Sequence, residues 1–201
     1  MVLFMSAYPT KIKVEEFITN ERKRIAWGIT GGGHWLKESV DKIKEFLNKG
    51  YILDIYFSRA GREVCKMFQE LSHLQKLKEI YPNSLKFIFS EDQGWSFPIC
   101  GSFSLKAYEL LIISPTTANS VAKISYKIAD TLITNIVSQS LKGNLPVIII
   151  PTDFRKGSCE TMAPGNKNIT IIIHESDVQR TESLKNIRGI IVLEKPSDII
   201  V

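Results

Sequence analysis

The sequence predicts an α/β fold in which helices cover both faces of a mostly parallel sheet, giving three layers (αβα) of the Rossmann-like type. Short apolar runs with the length and composition of buried strands alternate along the chain with longer segments of helical periodicity. Glycine-rich or hydroxyl-rich residues follow several of these runs, where a strand turns into a helix. The 201 residues, of which 44% are hydrophobic, suffice for one domain with a continuous core.

Strand and helix candidates alternate in chain order. Strands are predicted at 25–29, 51–57, 86–89, 110–113 and 147–150, with 169–173 and 190–193 as later candidates. Helices are predicted at 35–48, at 63–80 with a break near Ser72, at 119–127, and at 131–141 with Asp130 as its cap. The first helix carries apolar residues at core spacing, and Gly50 follows it. Residues 90–104 are expected to be irregular.

Residues 1–22 are predicted to form an N-terminal extension, and residues 23–201 a single domain. The extension is too charged, and its apolar part too short, for a secretory signal. No apolar run reaches the roughly 18 residues that a membrane span needs. We therefore expect a cytoplasmic protein that does not associate with a membrane.

Charge and ligand spacing exclude two further classes of partner. The formal net charge is +5, but the basic residues are scattered among acidic ones and form no nucleic-acid motif. No nucleic-acid partner is expected. The three cysteines lie far apart, and the three histidines show no ligand spacing. No metal site is therefore predicted.

The turn after the first strand indicates an anion site. Thr30 and three successive glycines precede a helix, so the backbone can approach an anion near the helix N-terminus. The second strand ends in Ser58 and Arg59 rather than in an acidic residue that would hold a ribose hydroxyl. A hydroxyl beside a guanidinium suits a terminal phosphate, which favours FMN over NAD or FAD. A glycine-rich turn beside a surface arginine is the alternative interpretation.

The segment after the fourth strand is the most informative part of the chain. The apolar run 110–113 leads into residues 114–120, which carry four hydroxyls and an amide at the start of a helical pattern. In an open α/β sheet a ligand lies at the carboxyl ends of the strands, so these groups can bind an anion or a polar planar ligand. An ordinary helix N-cap is the alternative.

Four segments together resemble the homo-oligomeric flavin-containing cysteine decarboxylase superfamily, a family of flavoproteins. They are residues 26–33, 97–105, 115–135 and 175–178. The likeness is strongest to the redox branch of that family, the archaeoflavoproteins and the dihydromethanopterin reductases (acceptor). It implies the flavoprotein fold, FMN as cofactor, and a homo-oligomer built on trimers with each flavin near a subunit boundary.

The resemblance also implies which residues hold the cofactor. The expected FMN ligands are Thr30, Gly31, Gly32, Gly33, Ser58, Arg59, Pro115, Thr116, Thr117, Ala118, Asn119 and Ser120. Decarboxylating and prenyl-transferring relatives carry a histidine shortly before the fourth strand, but residues 101–105 contain none. The Asn-x-x-Met-Trp clamp of the decarboxylases is also missing from residues 151–157. No catalytic side chain is predicted, and the chemistry is assigned to the flavin.

Two function classes follow from these features. The first is an FMN-dependent oxidoreductase that reduces a dihydropterin, similar to dihydromethanopterin, between loops 93–98 and 151–164. Trp95 and Phe97 would stack on the pterin or the flavin, and Asp153 would bind pterin nitrogens. An oligomer interface and a surface turn are the respective alternatives. The second class is an FMN electron carrier supplied by a ferredoxin. A flavin prenyltransferase or decarboxylase ranks below both.

Overall fold

Three layers make up the part of the chain that the computed structural model describes, residues 9–19, 21, 23–165 and 167–201. The strands of this part are β1 (Ile12–Lys13), β2 (Arg24–Ile29), β3 (Ile52–Phe57), β4 (Leu85–Phe89), β5 (Leu110–Thr116), β6 (Val147–Pro151), β7 (Gly157–Ala163), β8 (Lys167–Ile173), β9 (Ile190–Val192) and β10 (Ile199–Ile200). Its α-helices are α1 (Leu36–Asn48), α2 (Arg59–Met67), α3 (Glu70–Ile80), α4 (Gly101–Ser104), α5 (Ala118–Ser125), α6 (Leu132–Lys142) and α7 (Glu175–Leu184).

The central sheet has six parallel strands in the order β4-β3-β2-β5-β6-β9. The chain order runs outward from β2 to β4 on one side, and from β5 to β9 on the other. The order therefore reverses between β2 and β5, and in such sheets a crevice opens there at the carboxyl ends of the strands. The predicted three-layer Rossmann-like fold is confirmed, and the first five predicted strands all belong to this sheet.

Two apolar cores fill the space between the sheet and its helices. One core packs α1, α2 and α3 on one face, with Ile43 and Leu74 fully buried. The other packs α4, α5, α6 and α7 on the opposite face, with Phe103 and Ile136 fully buried. All residues of β5 are buried, as expected of a strand covered on both sides. Each buried Leu, Ile or Phe contributes about 1.5–3 kcal/mol, so the cores hold the strand ends in place.

Two predicted helix boundaries are wrong. The helix predicted at 63–80 is two helices, α2 and α3, and the break lies at Gln69, whose φ is +63°, rather than near Ser72. The turn lets both helices direct their apolar side chains at the same core. Helix α6 is capped by Thr131 instead of Asp130, because the side chains of Thr131 and Thr134 each accept a hydrogen bond from the other's backbone N–H. Asp130 pairs with Lys123 at 2.7 Å.

A hairpin stands apart from the central sheet. The strand predicted at 169–173 is β8, but it pairs antiparallel with β7 and with no strand of the central sheet in the described part of the chain. The sequence does not predict β7, since GSCETMA contains no apolar run. It does not predict α7 as a helix either. Much of the hairpin surface is exposed, including Ile172 at 72%.

Part of the predicted N-terminal extension packs on the domain. Strand β1 pairs in parallel with β10, and Val14 is fully buried in the core beside α1. Residues 1–8, 20 and 22 of the extension lie outside the described residues, and the domain boundary at residue 22 stays a prediction. No helix in the described ranges is long and apolar enough to span a membrane.

A buried polar network joins β3 to the starts of β2 and β5. Asp54 Oδ2 accepts hydrogen bonds from Arg24 Nη2 and from the Tyr108 hydroxyl, both at 2.6 Å. The Tyr56 hydroxyl lies 2.7 Å from that of Tyr108. Burial raises the pKa of Tyr56 to about 12, and it also raises the pKa of Tyr108. Both phenols are therefore protonated at neutral pH, and the network is a structural link between the three strands.

Candidate functional site

The carboxyl ends of β2 and β5 are joined by hydrogen bonds at the point where the strand order reverses. The Pro115 carbonyl accepts from Thr30 twice, from the backbone N–H at 3.2 Å and from the hydroxyl at 2.8 Å. The Thr30 hydroxyl in turn accepts from the backbone N–H of Thr117 at 2.9 Å. Behind them, Trp27 Nε1 donates to the Ser114 carbonyl at 2.8 Å. The two turns that the sequence singles out are thus one rigid unit.

A cavity of about 740 Å³, termed the switch-point cavity, opens beside this unit. Its volume is within the usual range for small-molecule and cofactor sites. It is lined by Thr30, Gly31, Ser58, Arg59, Ala60, Ser90, Glu91, Gln93, Gly94, Trp95, Phe97, Thr117, Asn119, Ser120, Lys123, Asp130, Thr131 and Ile133. The turns after β2, β3 and β5 therefore meet at one cavity, as the sequence predicts. Seven predicted cofactor ligands line it, namely Thr30, Gly31, Ser58, Arg59, Thr117, Asn119 and Ser120.

The other predicted ligands lie beside this cavity rather than on its walls. Pro115, Thr116 and Ala118 do not line it. The Thr116 side chain is fully buried, and its hydroxyl donates to the Ile113 carbonyl at 2.8 Å, so it supports the turn from within. Gly32 and Gly33 face a second cavity.

The three glycines after β2 are required by their neighbours. A Cβ on Gly31 would lie 2.7 Å from the Cβ of Ala60. A Cβ on Gly32 would lie 2.7 Å from Thr152, and one on Gly33 would lie 2.8 Å from Phe68. Side chains there would force the turn away from β6 and α2. Close packing of the turn is thus a reason for glycine that is independent of any ligand.

The start of α2 presents an arginine to the switch-point cavity. Ser58 caps the helix by accepting from the Gly61 backbone N–H at 2.9 Å. Arg59 follows in the first turn, exposed and without an ion pair to any residue that the structure describes. Gly61, which the sequence pattern does not single out, lets the helix approach β2 closely, because a Cβ there would lie 2.3 Å from the Ile29 carbonyl oxygen. The helix N-terminus and the guanidinium together favour an anion.

The start of α5 presents polar groups to the opposite wall. Thr117 caps the helix, with its hydroxyl 3.4 Å from the Ser120 backbone nitrogen. The exposed Asn119 amide lines the cavity, one helical turn before Lys123. Lys123 is absent from the predicted ligands, although its i, i+4 spacing from Asn119 places both on one helix face. It pairs with Asp130, which reaches the cavity from the turn before α6.

Loop 93–98 forms the outer rim of the switch-point cavity. Trp95 is 99% exposed, and Phe97, whose φ is +46°, directs its ring toward the second apolar core. Glu91, just before the loop, lies 3.5 Å from Arg62, whose guanidinium covers the Phe89 ring at 4.2 Å. The rim is therefore held at its start by the Glu91–Arg62 contact, whereas the Trp95 side chain is almost fully exposed.

A second cavity, of about 330 Å³, lies between the glycine turn and the β7–β8 hairpin. We call it the hairpin cavity. It is lined by Gly31, Gly32, Gly33, His34, Val64, Met67, Phe68, Thr152, Asp153, Thr161, Met162, Ala163, Pro164, Ile169 and Ile171. Trp95 and Phe97 line the first cavity and Asp153 the second, so the structure does not bring the three predicted substrate-binding residues together. Gly31 lines both.

Two polar side chains of the hairpin cavity are held in place. Asp153 Oδ1 accepts from the Thr152 hydroxyl at 2.5 Å, and the Asp153 carbonyl accepts from the Thr181 hydroxyl at 3.0 Å. The His34 ring lies 4.2 Å from the Trp35 ring, centroid to centroid. Burial lowers the pKa of His34 from its usual 6.5, against smaller opposing effects of the Glu38 and Asp153 carboxylates.

Comparisons with known proteins show similarity over most of the chain. The family model described as Flavoprotein matches residues 14–201. The chain is 40% identical over 177 residues to an uncharacterized protein of Methanocaldococcus jannaschii, covering 88% of this chain and 91% of that protein. It is 33% identical over 236 aligned positions to the dihydromethanopterin reductase (acceptor) of Methanosarcina mazei, covering 89% and 98%.

A solved structure shares the fold. The DmrB protein of Burkholderia xenovorans in complex with FMN, described as a cubic protein cage for redox transfer, superimposes with a TM-score of 0.70. It is 25% identical to this chain, and the match covers 87% of this chain and 89% of that one.

The match of the family model begins at residue 14, inside the segment predicted to be an N-terminal extension.

Proposed function

Since this chain belongs to the flavoprotein family, we propose that it is an FMN-dependent oxidoreductase that reduces a dihydropterin. The similarity to a dihydromethanopterin reductase (acceptor) over 89% of the chain supports the class of enzyme. The similarity to an FMN-bound redox protein supports the cofactor. The dihydropterin substrate is proposed by analogy with the M. mazei relative. The observation that carries the proposal is the switch-point cavity, where the turns after β2, β3 and β5 converge.

The residues of the switch-point cavity fit FMN. A terminal phosphate would lie at the start of α2, where Ser58 and Arg59 meet the positive end of the helix dipole. Glu91 and Asp130 on the same walls are already paired with cations. Asn119 and the neighbouring hydroxyls suit the polar edge of the isoalloxazine ring. The walls therefore offer an unpaired cation for the phosphate and hydrogen-bonding groups for the ring.

The role of the chain is to position the reactants, and FMN supplies the hydride chemistry when it is bound. Trp95 on the rim would cover the isoalloxazine ring by stacking, whereas Phe97 packs toward the second apolar core and anchors the loop. Asp153, held by Thr152, would accept hydrogen bonds from the amino and ring N–H groups of a pterin. Such orientation lowers the barrier when the acceptor carbon is held about 3–3.5 Å from the hydride donor.

We also propose that the protein assembles into homo-oligomers built on trimers. The fully exposed Trp95 and the exposed Ile128 on the turn before α6 are large apolar side chains that an interface would cover. A second polypeptide near loop 93–98 would close the outer side of the switch-point cavity. Light scattering across micromolar concentrations tests this, and a monomer that still binds flavin would contradict it.

The proposed function is tested anaerobically. The FMN-loaded protein is reduced chemically, 6-methyl-7,8-dihydropterin is added, and the flavin absorbance is followed together with tetrahydropterin formation. We expect one tetrahydropterin for each flavin reoxidised. Reoxidation by a ferredoxin without reduction of any dihydropterin would instead support the electron carrier, whose docking to an acidic donor the net charge of +5 would favour.

A further inference from the structure

The hairpin cavity adjoins the proposed cofactor site through a single residue. Gly31 lines both cavities, so the two cavities adjoin at a position where the backbone carries no side chain. The cavity also has firm inner walls, because Val64 and Phe68 of the α2 region pack against the core that contains α1. A small ligand could therefore be held beside the cofactor without displacing any core side chain.

The hairpin gives this cavity an apolar outer wall. In the register of β7 and β8, Thr161 pairs with Ile169 and Cys159 with Ile171, and three of these four residues line the cavity. Ile172 belongs to the opposite face, where it is 72% exposed and takes no part in the lining. Because side chains alternate along a strand, most of the hairpin residues that line the cavity lie on one face, and Met162 near the turn is the exception. Apolar walls with few polar groups are typical of sites for planar ring systems.

The polar groups of the cavity are few and differ in chemistry. Asp153 is a hydrogen-bond acceptor, and His34 is the titratable proton donor among the lining residues. The charged groups that act on the His34 ring are Glu38 from α1 and Asp153 from the segment after β6. Reduction of a C=N bond needs both a hydride at carbon and a proton at nitrogen. A half-buried imidazole next to an acceptor site suits the second requirement.

We propose that the hydride acceptor, a planar bicyclic heterocycle with a reducible C=N bond, binds in the hairpin cavity and that His34 is the catalytic residue that protonates its nitrogen. This inference rests on the proposed function and specifies its acceptor site. With FMN bound, the reduced flavin would supply the hydride to the acceptor carbon and would itself be oxidised. The π-electron pair of the C=N bond moves to nitrogen and forms an N–H bond with the proton of the His34 imidazolium. The neutral imidazole then recovers a proton from water.

The pH dependence follows from the burial of His34. Its pKa lies below the usual 6.5, so the imidazolium is the minor form at neutral pH and becomes the major form only below that pKa. Acceptor reduction should therefore accelerate as the pH falls through a midpoint below 6.5. Ferricyanide accepts electrons and no proton, so its reoxidation of the flavin does not need the His34 proton and should not share this midpoint.

The position of the cavity is tested by two tryptophan substitutions on neighbouring residues. Ile171→Trp fills the hairpin cavity, whereas Ile172→Trp places the same side chain on the opposite face. Binding of 6-methylpterin to the FMN-loaded protein is measured by pterin fluorescence. We expect Ile171→Trp to lose pterin binding and to keep its flavin, and Ile172→Trp to resemble the parent. Equal binding by all three proteins, or no pterin binding by the parent, would overturn the inference.

The proton-donor role is tested with His34→Asn, and His73→Asn serves as the matched control because the exposed His73 pairs with Glu70 within α3 and lines neither cavity. We expect His34→Asn to reduce dihydropterin about 10²-fold more slowly, with a flat pH profile, since general acids contribute about 10²–10⁴-fold. Flavin content and ferricyanide reoxidation should be unchanged. An NMR titration of the His34 ring, with its pKa moving on addition of pterin, gives a readout besides activity.

The outcomes separate the inference from the proposed function. If the parent reduces dihydropterin and His34→Asn keeps its rate and pH profile, the proton-donor role is overturned and the proposed function stands. If pterin binds the parent but not Ile171→Trp, and moves the pKa of His34, yet no dihydropterin is reduced, the proposed function fails while the ligand site stands.

Discussion

The two cavities on either side of Gly31 are built from different kinds of structure. The switch-point cavity is formed where strands of a doubly covered sheet end, and Thr30 ties the two central turns together. The hairpin cavity is roofed by two strands that pair only with each other among the described strands. Surfaces set by a packed core are rigid, whereas peripheral hairpins open at lower free energy. One site is therefore suited to a resident cofactor, and the other to a ligand that enters and leaves.

The largest expected effect on the switch-point cavity comes from removing the close approach of α2 to β2 behind it. Gly61→Val would place a Cβ 2.3 Å from the Ile29 carbonyl oxygen, so α2 must move away from β2. Overpacking of this kind costs about 1–3 kcal/mol and occasionally more. We expect a lower free energy of unfolding in urea and loss of FMN. Gly101→Ala, whose Cβ meets nothing within 4 Å, is the control. Retained stability and flavin in Gly61→Val would show that this contact does not set the site.

The next effect comes from cutting the link between the two central turns. Thr30→Val removes the hydroxyl that donates to the Pro115 carbonyl and accepts from the Thr117 backbone N–H. The part-buried Thr117 N–H then loses this acceptor, whereas the Pro115 carbonyl keeps the backbone N–H of Thr30. We expect a loss of about 1–3 kcal/mol in unfolding free energy and weaker FMN binding. The exposed Thr170 of β8 provides the control, Thr170→Val. If the two variants behaved alike, the cavity could not owe its rigidity to Thr30.

A smaller effect, confined to binding, is expected at the proposed phosphate position. Arg59→Ala removes the exposed guanidinium at the start of α2 without disturbing the core. A hydrogen bond to a charged group contributes about 1.5–3 kcal/mol, so FMN affinity should fall about 10- to 100-fold, with a weaker dependence on salt. Lys66→Ala removes a charge from the same helix outside the cavity and should leave affinity unchanged. Equal affinities in the two variants would place the phosphate elsewhere.

The smallest effect sharpens the contrast between core and hairpin. Ile172→Ala removes an exposed side chain and should change the unfolding free energy by less than about 0.5 kcal/mol. Ile112→Ala, in the fully buried β5, should cost about 2–5 kcal/mol. Denaturation in urea measures both. A large cost at Ile172 would mean that the hairpin is part of the cooperative core, and a mobile roof would then be excluded.

The edge of the sheet that carries the switch-point cavity was predictable from the sequence because it depends on local pattern. Buried parallel strands read as short apolar runs, and the polar residues that follow them must meet at one edge of the sheet. The positions of Thr30, Ser58 and Thr117 directly after such runs are enough to predict that they share one cavity. The pattern does not separate residues that face the cavity from those that support it, since Thr116 and Thr117 are adjacent and identical in chemistry. Only the geometry of the turn distinguishes them.

The hairpin cavity was not predictable because it depends on contacts between distant segments. Strand β7 has no apolar run, so its pairing with β8 leaves no periodic signal. Burial of His34 follows from that pairing and from the packing of the glycine turn. The prediction that loops 93–98 and 151–164 form one site is wrong for these residues, because Trp95 lines the switch-point cavity and Asp153 lines the hairpin cavity. The glycine turn lies between them, packed against β6 and α2, and Gly31 lines both cavities.

The Trp27 indole, which donates a hydrogen bond to the Ser114 carbonyl, can serve as an intrinsic fluorescent reporter of the switch-point cavity. Trp27 is fully buried and Trp95 is 99% exposed, so their indoles emit from an apolar and an aqueous environment respectively. We therefore expect Trp27 to emit at a shorter wavelength than Trp95. Oxidised flavin absorbs where buried indoles emit, and the turn that receives the Trp27 hydrogen bond leads directly to the switch-point cavity. Filling that cavity should quench the short-wavelength emission, so occupancy can be followed by fluorescence without attaching a label.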